Sequence, residues 1–424
     1  MKKLALIVVL ACCAILAFAA GGQESAAPGE GGVTINFSSW LVKEGASEGP
    51  VYEMAKRFEA SHPGIKVNYI GIPYEQTQQQ IMIAVSGGNP PDIIQLSAAW
   101  AVPLAARGAI IDLKPYFPQD KLRDIPEAAY RAGVFGDQLI SVPWQLGTIA
   151  VLAWKDAIRK AGYPVEIPET WTAFKQVVAK ISEAGADVYG FGARTDKSTN
   201  SAFWFFPVMW GHGGRFEDSD GTVVFDDPGT VAALRWYKEI GTTKQTPLGM
   251  GVREVRNLMP QGKLGFIFDG PWMKGILRNI SGMGEEVDDK YVTGMFPKAP
   301  DGKRYGIGNN HVLTISKQSK VKDEAVTLIR YFTEDPEITK YYYEKMGAVP
   351  VYRTLLQDPL YQNDPFARTF AQSAEFADCV PSKNPNFEAA LEFVAVAMQD
   401  ALLGGDPVRA AATAQGSIAT LYGQ

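Results

Sequence analysis

From residue 33 onward, the spacing of the hydrophobic residues switches between the pattern of a strand and that of a helix. Apolar residues occupy alternate positions from 33 to 37, as in a half-buried strand, and then one helical face from 51 to 58. The segment SHPGIKV, residues 61–67, contains a Pro-Gly pair that ends the helix before another extended run. This order predicts a strand, helix, strand unit at the start of the fold.

Later apolar runs are short and carry few polar positions. PPDIIQL begins at Pro90, QLISVPW at Gln138 and GTIAVLAW at Gly147. Strands that are apolar on both faces are typical of a parallel sheet covered by helices on each side. Helical spacing returns in DEAVTLIRYF and in DDPGTVAALRWYKEI, where Asp227 is the expected N-cap and Pro228 lies in the first turn. The pattern therefore predicts an α/β protein.

One apolar stretch is too long for an ordinary strand. Residues 139–155 carry no charge before the final lysine, and Pro143 and Gly147 interrupt the middle. Strands usually have about five or six residues, and a proline and a glycine inside a run mark a bend. A chain of 424 residues is also too long for one hydrophobic core. We therefore expect two lobes, with the chain crossing between them near residues 145–148.

The first twenty residues predict an export signal. Two lysines precede an unbroken apolar stretch, and AFA at residues 17–19 fits a peptidase cleavage site, so residues 1–19 are the predicted signal peptide. Residues 20–32 are rich in glycine and small polar residues and predict a flexible spacer. A second interpretation stays open, because VLAC resembles a lipobox and lipid attachment at Cys12 would tether the protein to a membrane. Either interpretation predicts a periplasmic or otherwise extracytoplasmic protein.

Composition and charge narrow the possible partners. Hydrophobic residues make up 46% and charged residues 21%, as in an ordered globular protein. Without the two signal lysines, 39 of the 41 basic residues remain against 46 acidic ones, a net charge of about −7, which disfavours nucleic acid and anionic membrane surfaces. No apolar run of eighteen residues follows the signal, so no spanning helix is expected there. Cys379 alone remains after cleavage, which excludes an intramolecular disulfide.

Signatures of catalysis are weak. GASEG matches the nucleophile-elbow pattern, but Ser47 follows the first strand by several residues and precedes a helix, so a place at the helix entry is the better account of this serine. His62, His212 and His311 are far apart and have no second histidine at metal-site spacing. The YYY run at 341–343 lies in a predicted helix, where successive side chains diverge by about 100° and do not face one metal. We expect no cofactor and no metal site.

Four of the nine tryptophans stand at or just past the ends of predicted strands: Trp40, Trp100, Trp144 and Trp272. In open α/β sheets, ligands bind at the loops beyond the carboxyl ends of the strands. A flat indole suits the apolar face of a pyranose ring, and nearby Asp, Asn and Gln side chains pair with hydroxyls. The four together favour a carbohydrate site, while core packing is the competing account of each single ring.

Six segments occur in a fixed order between residues 33 and 355: FSSW, FEASHPGIKV, GGNPPDIIQL, SVPWQLGTIAVLAWKDAIRKAGYPVEIPETWTAF, GKLGFIFDGPW and GAVPV. In this order and spacing they resemble the extracellular solute-binding proteins of ABC importers, specifically the sugar-binding family that includes the maltose-binding protein. The resemblance implies a two-lobed, periplasmic-binding-protein-like α/β fold whose discontinuous lobes are joined by a multi-strand hinge. It also implies a sugar in the cleft between the lobes and closure that presents the protein, as a monomer, to a membrane permease.

The resemblance also implies where the lobes divide. A second crossing is expected near GIGNNHVL and a third just after RYF. The N-terminal lobe is then expected to comprise residues 33–146 and 311–333, and the C-terminal lobe residues 147–310 and 334–424.

The ligand site implied by the family's loops overlaps with the tryptophan pattern. The expected site residues are Trp40, Glu44, Gln95, Ser97, Trp100, Trp144, Gln145, Arg194, Asp269, Gly270, Trp272, Asn310 and His311. The match is closest at FIFDGPW, which contains Trp272. Ala99 and Trp100 stand where the maltose-binding protein has an Asp-Arg pair, so its contacts to a maltodextrin are not expected here.

The sequence thus predicts a non-catalytic sugar-binding component of an ABC importer that opens and closes by hinge rotation. Two alternatives stay open. One is a binding protein for a non-sugar solute such as a polyamine or a metal chelate. The other is a secreted carbohydrate hydrolase, which needs two carboxylates facing one cleft, and Glu44 with Asp269 is the candidate pair.

Overall fold

The computed structural model of the protein describes residues 32–378 and 381–424. The predicted signal peptide, Cys12, the spacer up to residue 31 and Cys379 lie outside the described residues. The strands, numbered in chain order, are β1 Val33–Ser39, β2 Ile65–Gly71, β3 Ile93–Ser97, β4 Val134–Phe135, β5 Gln138–Leu139, β6 Val142–Gln145, β7 Ala150–Trp154, β8 Tyr189–Phe191, β9 Leu264–Asp269, β10 Tyr291–Gly294, β11 Gly306–Ile307, β12 His311–Ile315 and β13 Ala377–Asp378.

Helices surround the strands along the whole described chain. They are α1 Glu48–Ser61, α2 Tyr74–Ser86, α3 Ala98–Ala106, α4 Gln119–Arg123, α5 Glu127–Ala132, α6 Lys155–Lys160, α7 Trp171–Ser182, α8 Thr199–Phe203, α9 Phe206–Gly211, α10 Pro228–Thr242, α11 Val252–Leu258, α12 Met273–Ile280, α13 Lys322–Glu334, α14 Pro336–Met346, α15 Pro359–Gln362, α16 Pro365–Ser373, α17 Phe387–Leu402 and α18 Pro407–Tyr422. In this part of the chain no helix is long and apolar enough to cross a membrane.

Two separate sheets organise the chain into two α/β lobes. The N-terminal lobe contains the order β2-β1-β3-β12-β6, and the C-terminal lobe contains β10-β7-β9-β8. The predicted strand, helix, strand unit is confirmed as β1, α1 and β2, with β1 parallel to both β2 and β3. The sheets are mixed rather than wholly parallel, because β12 returns from the other lobe and runs antiparallel to β3 and β6. Every residue of β7 and β9 is buried, as expected for strands that are covered on both faces.

The crossing predicted near residues 145–148 is confirmed, and it lies beside a second one. The chain leaves the first sheet after Gln145, and it returns between Ile307 and His311. The backbone N–H of Asn309 donates to the carbonyl of Gly147 over 2.8 Å. A Cβ atom on Gly147 would lie 2.2 Å from the carbonyl oxygen of Asn309, so only glycine permits this approach. The hinge is therefore a pair of tightly packed, hydrogen-bonded connections.

A third connection joins α13 to α14 at Asp335, just after the RYF segment. The Asp335 carboxylate caps α14 by accepting from the backbone N–H groups of Glu337 and Ile338, over 2.9 and 3.0 Å. Helix α13 packs on the first sheet, whereas α14 contacts both α1 and α12. Helix α14 therefore sits where the two lobes meet.

The predicted helix starts agree with the structure. The Asp227 carboxylate accepts from the backbone N–H of Thr230 over 2.7 Å, and Pro228 is the first residue of α10. Ser47 directly precedes α1, and its buried hydroxyl donates to the Leu41 carbonyl over 2.9 Å. This hydroxyl caps no backbone N–H, but its burial and its local bond leave no exposed nucleophile at this position.

Candidate functional site

A cleft lies between the two lobes, next to the crossings. Its main chamber is lined by side chains from both lobes, including α14: Trp40, Leu41, Glu44, Tyr74, Glu75, Gln145, Arg194, Asn200, Trp204, Val252, Arg253, Arg256, Trp272, Ile276, Asn309, His311, Tyr342 and Met346. The cavity volume is about 70 Å³, which exceeds the roughly 15 Å³ that one water molecule needs. The chamber is therefore narrow, and the lobes lie close together across it.

The end of β9 positions Trp272 at the cleft. Asp269, the last residue of β9, accepts from the backbone N–H of Gly270 over 2.8 Å and from the indole Nε1 of Trp272 over 2.6 Å. A Cβ atom on Gly270 would lie 2.4 Å from two ring atoms of Trp272, so the indole packs directly on the glycine. Asp269 and Gly270 therefore fix the orientation of the indole, and neither lines the cleft itself.

Two arginines neutralise Asp269, which is completely buried. Arg256 donates to both carboxylate oxygens over 2.8 Å, and Arg194 approaches to 3.4 Å. Burial alone raises the pKa of Asp269, but the charges of Arg256 and Arg194 outweigh burial and hold the pKa below its usual value. The predicted role of Asp269 as a direct hydrogen-bond partner of the ligand is therefore corrected, because its oxygens are occupied within the protein.

Arg194 brings unused donors to the cleft wall. Its guanidinium lies 3.4 Å from the ring centroid of Trp204, and its Nη1 donates to the Asn200 side chain over 3.0 Å. Burial lowers the pKa of Arg194 to about 9. Within the described residues the buried Nε of Arg194 and the buried Nε1 of Trp204 have no hydrogen-bond partner. Buried donors of this kind are normally satisfied, so this wall is suited to an oxygen-rich ligand.

His311 closes the cleft from the hinge side. The Gln145 amide donates to its Nδ1 over 2.6 Å, and the Gln95 amide lies 3.4 Å from the same atom, which places the ring proton on Nε2. Burial, together with the positive charge of Arg256, lowers the pKa of His311 to about 3. The imidazole is therefore neutral, and it stacks on Trp272 from the opposite lobe.

The N-terminal lobe contributes an aromatic wall and two carboxylates. Trp40 directly follows β1 and makes edge contacts with Tyr74 and His311, at centroid distances of 5.2 and 4.9 Å. The partly exposed Glu44 faces the chamber, and burial raises its pKa against the opposing effect of Arg256. Glu75 lies 3.6 Å from Arg253 of the other lobe, so an ion pair spans the mouth of the cleft.

A second chamber of about 40 Å³ lies on the other side of Tyr74. It is lined by Tyr74, Ser97, Ala99, Trp100, Thr199, Asn200, Phe203, Asn309, Glu388 and Leu391. The Tyr74 hydroxyl lies 3.3 Å from the Ser97 hydroxyl and accepts from the amides of Asn309 and Asn200 over 3.2 and 3.4 Å. Tyr74 therefore forms a partition between the two chambers, and Ser97 and Trp100 belong to the second one.

Three other predicted site residues lie behind the cleft instead of lining it. Trp144 lies within β6, stacked between Phe332 and Tyr342 at centroid distances of 5.5 and 5.3 Å, and it is a core residue. Alternation along the strand turns Trp144 toward α13 and the next residue toward the cleft. Gln95 is held inside β3, and the Asn310 side chain accepts from the hinge backbone at Gly147 over 2.8 Å.

Several cleft residues carried little or no sequence signal. Tyr74 follows β2 by three residues, and a search for all aromatic residues after strands would have found it. Tyr342 belongs to the YYY run, whose members diverge as expected, but it reaches the cleft as well as the core. Arg253 and Arg256 lie on a short helix with no distinctive pattern. Within the described residues no group of three His, Cys, Asp or Glu side chains could hold a metal ion.

Two α/β lobes joined by adjacent crossings, with an aromatic and polar cleft between them, define a hinged binding protein. The profile of the bacterial extracellular solute-binding proteins matches residues 45–337, and the chain belongs to this family.

Individual proteins resemble the chain over most of its length. A binding protein of Brucella abortus (strain 2308) is 26% identical, over 94% of both chains. The galactooligosaccharide-binding protein of Bacillus subtilis (strain 168) is 22% identical, over 98% of this chain and 97% of its own. The GacH receptor of Streptomyces glaucescens GLA.O, solved unliganded and with acarbose, superposes with a TM-score of 0.80 at 22% identity, over 93% of this chain and 99% of that one. The last likeness supports the fold.

Proposed function

We propose that the protein is the extracytoplasmic substrate-binding component of an ABC importer, which binds a mono- or oligosaccharide in the cleft and delivers it to a membrane permease. The observation that carries this proposal is the make-up of the main chamber. Indoles face it from both lobes, at Trp40 and Trp272, and the hydrogen-bonding groups of Glu44, Gln145 and Arg194 lie between them. Flat apolar surfaces with convergent polar groups suit a pyranose.

The lobes would move as units, comprising residues 33–146 with 311–333 and residues 147–310 with 334–424. Opening about the two adjacent crossings would separate Trp272 from His311 and Glu75 from Arg253, and a ligand would then enter. Because a ligand that contacts both lobes binds the closed form better than the open one, binding shifts the population toward closure. The closed, ligand-bound monomer is the form that the permease would accept.

The alternatives find less support in the cleft. A glycosidase needs two available carboxylates. Asp269 is buried between Arg256 and Arg194, and Glu75 pairs with Arg253, so neither is a free partner for Glu44. A polyamine would meet Arg194, Arg253 and Arg256 in the main chamber, where Glu75 already pairs with Arg253. The proposal is therefore for a non-catalytic carrier of sugars. It includes export by residues 1–19, with lipid attachment at Cys12 as the competing mode of processing.

The test uses the chain without residues 1–19 and a panel of mono- and oligosaccharides. Isothermal titration calorimetry and intrinsic tryptophan fluorescence would measure binding, and chromatography of the same mixtures after incubation would measure turnover. The expected result is saturable binding of at least one saccharide without products. Hydrolysis products would contradict the carrier function, and the absence of binding across neutral, acidic and amino sugars would contradict the sugar ligand. A polyamine and a ferric chelate in the same panel test the remaining alternative.

A further inference from the structure

The two chambers of the cleft differ in their charged residues. Charges of both signs line the main chamber, namely Arg194, Arg253 and Arg256 with Glu44 and Glu75, whereas the charged residue that lines the second chamber is Glu388. Tyr74 lies between them. Burial raises the pKa of its phenol, and the charges of Arg194 and Glu388 act on that pKa in opposite directions. Tyr74 therefore separates a chamber with charges of both signs from one whose charged lining residue is a carboxylate.

Glu388 lies in the first turn of α17, and its carboxylate faces the second chamber near the side chains of Thr199 and Trp100. Burial raises the pKa of Glu388, and hydrogen bonding from Thr199 and Trp100 opposes that effect. The charged group that acts on it is Glu392, another carboxylate. Glu388 forms no ion pair with any other residue that the structure describes, 32–378 and 381–424. A partly buried carboxylate without a cation is costly, because buried charges are normally paired.

The walls around this carboxylate are aromatic. Trp100 and Phe203 line the chamber, and Tyr74 closes it, with the rings of Tyr74 and Trp100 5.0 Å apart. Aromatic faces beside a carboxylate bind organic cations, because both attract positive charge. The volume of about 40 Å³ exceeds the roughly 15 Å³ that one water molecule needs, so a small substituent such as an ammonium group fits.

We infer that the second chamber binds an ammonium substituent of the ligand, and that Glu388 selects an oligosaccharide with a terminal amino sugar. This inference rests on the proposed function. Opening of the lobes breaks the contact between the Asn200 amide and the Tyr74 hydroxyl. The amine of a sugar beside Tyr74 then takes the place of that amide and reaches the carboxylate. The amine donates to Glu388 as a charge-assisted hydrogen bond, and the aromatic walls exclude water from the pair. A hydroxyl at the same position leaves the carboxylate without a counter-charge.

The test compares ligands that differ in one substituent. Titration calorimetry at pH 7 with the β-1,4-linked glucosamine dimer, N,N′-diacetylchitobiose and cellobiose would compare an amine, an acetamide and a hydroxyl on the same scaffold. Glucosamine and glucose repeat the comparison without a linkage. The amine is expected to bind at least about tenfold more tightly than the hydroxyl. Glu388→Gln should abolish this preference, and Glu392→Gln, an exposed position one turn along the same helix, should retain it.

The possible outcomes distinguish failure of this inference from failure of the proposed function. If neutral sugars bind and the amino sugars bind no more tightly, the inference is overturned while sugar binding stands. A preference for amines that survives in Glu388→Gln also overturns it. If no saccharide binds at all, both ideas fail. The wild-type ligand series remains decisive even if the Glu388→Gln variant does not fold.

Discussion

The indole of Trp272 lies parallel to the imidazole of His311, with ring centroids 5.0 Å apart and ring planes 7° from parallel. Trp272 follows the last residues of β9 in the C-terminal lobe, and His311 begins β12 in the N-terminal lobe. The stack therefore crosses the cleft and holds the lobes together. A sugar that stacks on this face of the indole would take the place of His311. Binding of the ligand therefore requires the two rings to separate.

Replacement of Trp272 by alanine is expected to weaken sugar binding by about tenfold or more, because the ligand loses its apolar platform. Trp272→Phe should lose less affinity, since a smaller ring face remains. Titration calorimetry with the best saccharide of the panel measures both. Trp236→Phe, in the core of the C-terminal lobe, is the control. Unchanged affinity in Trp272→Ala would mean that the ring only packs.

Trp144 is expected to affect stability and not affinity. Trp144→Ala removes a ring stacked between Phe332 and Tyr342, and loss of a buried large aromatic side chain costs about 3–5 kcal/mol. Urea denaturation measures the free energy of unfolding, and Trp144→Phe should cost less. Affinity of the folded protein should stay near wild type in both variants. If a Trp144 variant keeps its stability but loses affinity, Trp144 belongs to the binding site and the prediction is wrong.

Asp269→Asn is expected to destabilise the C-terminal lobe by about 3–5 kcal/mol, because it leaves the buried Arg194 and the partly buried Arg256 without their shared carboxylate. The indole of Trp272 also loses a charged acceptor, so the variant should bind sugar less tightly. Asp218→Asn is the matched control, since it breaks an exposed ion pair with Arg215 that is worth about 0–1 kcal/mol. Equal unfolding midpoints in urea for the two variants would contradict a structural role for Asp269.

Acid is expected to destabilise the protein through His212. Burial, aided by Lys175, lowers the pKa of His212 to about 4, although its hydrogen bond to the Val208 carbonyl raises it. An unfolded histidine titrates near about 6.5, so protons bind the unfolded chain more strongly between these values. Stability from this group is complete above pH ~6.5 and falls by about 1.4 kcal/mol per unit down to about pH 4.

Denaturation at several pH values between 7 and 4.5 measures this slope. His212→Gln should flatten it, while His311, whose pKa is also lowered by burial, continues to act in the same direction. His62→Gln controls for the loss of a histidine at the surface. A slope in His212→Gln equal to that of the wild type would refute the assignment.

Gly147→Ala is expected to push the two crossings apart, because the added methyl group meets the Asn309 carbonyl at 2.2 Å. Overpacking of this kind costs about 1–3 kcal/mol, and the ligand-induced change in tryptophan fluorescence should shrink as closure is impaired. Gly49→Ala, where a methyl group meets nothing within 4 Å, provides the control. If Gly147→Ala keeps the wild-type stability and the wild-type change in fluorescence on ligand binding, the two crossings are not tightly packed at this position.

Much of this architecture could be predicted from local pattern. Alternation from residue 33, the capped helix at Asp227 and the interrupted run around Gly147 each reflect constraints within a few neighbouring residues, and all three agree with the structure. Within the site, sequence placed the correct loops at the cleft but not every side chain. Asn309 lines the chamber, whereas the side chain of its neighbour Asn310 accepts a hydrogen bond from the backbone of Gly147 in the hinge. Which of the two asparagines faces the cleft depends on how the two crossings pack.

The sequence by itself determined the strands, the helices and the point where the chain passes between lobes, because hydrophobic spacing and turn residues act locally. Only the tertiary structure decided which face of each strand met the cleft. Trp144 and Gln145 are neighbours in β6, yet the pleat sends one into the core and the other to His311. Tertiary packing also gathered Arg194 and Arg256 around Asp269 from 75 and 13 residues away. Charge pairing and cleft shape depend on such distant contacts, which no local pattern encodes.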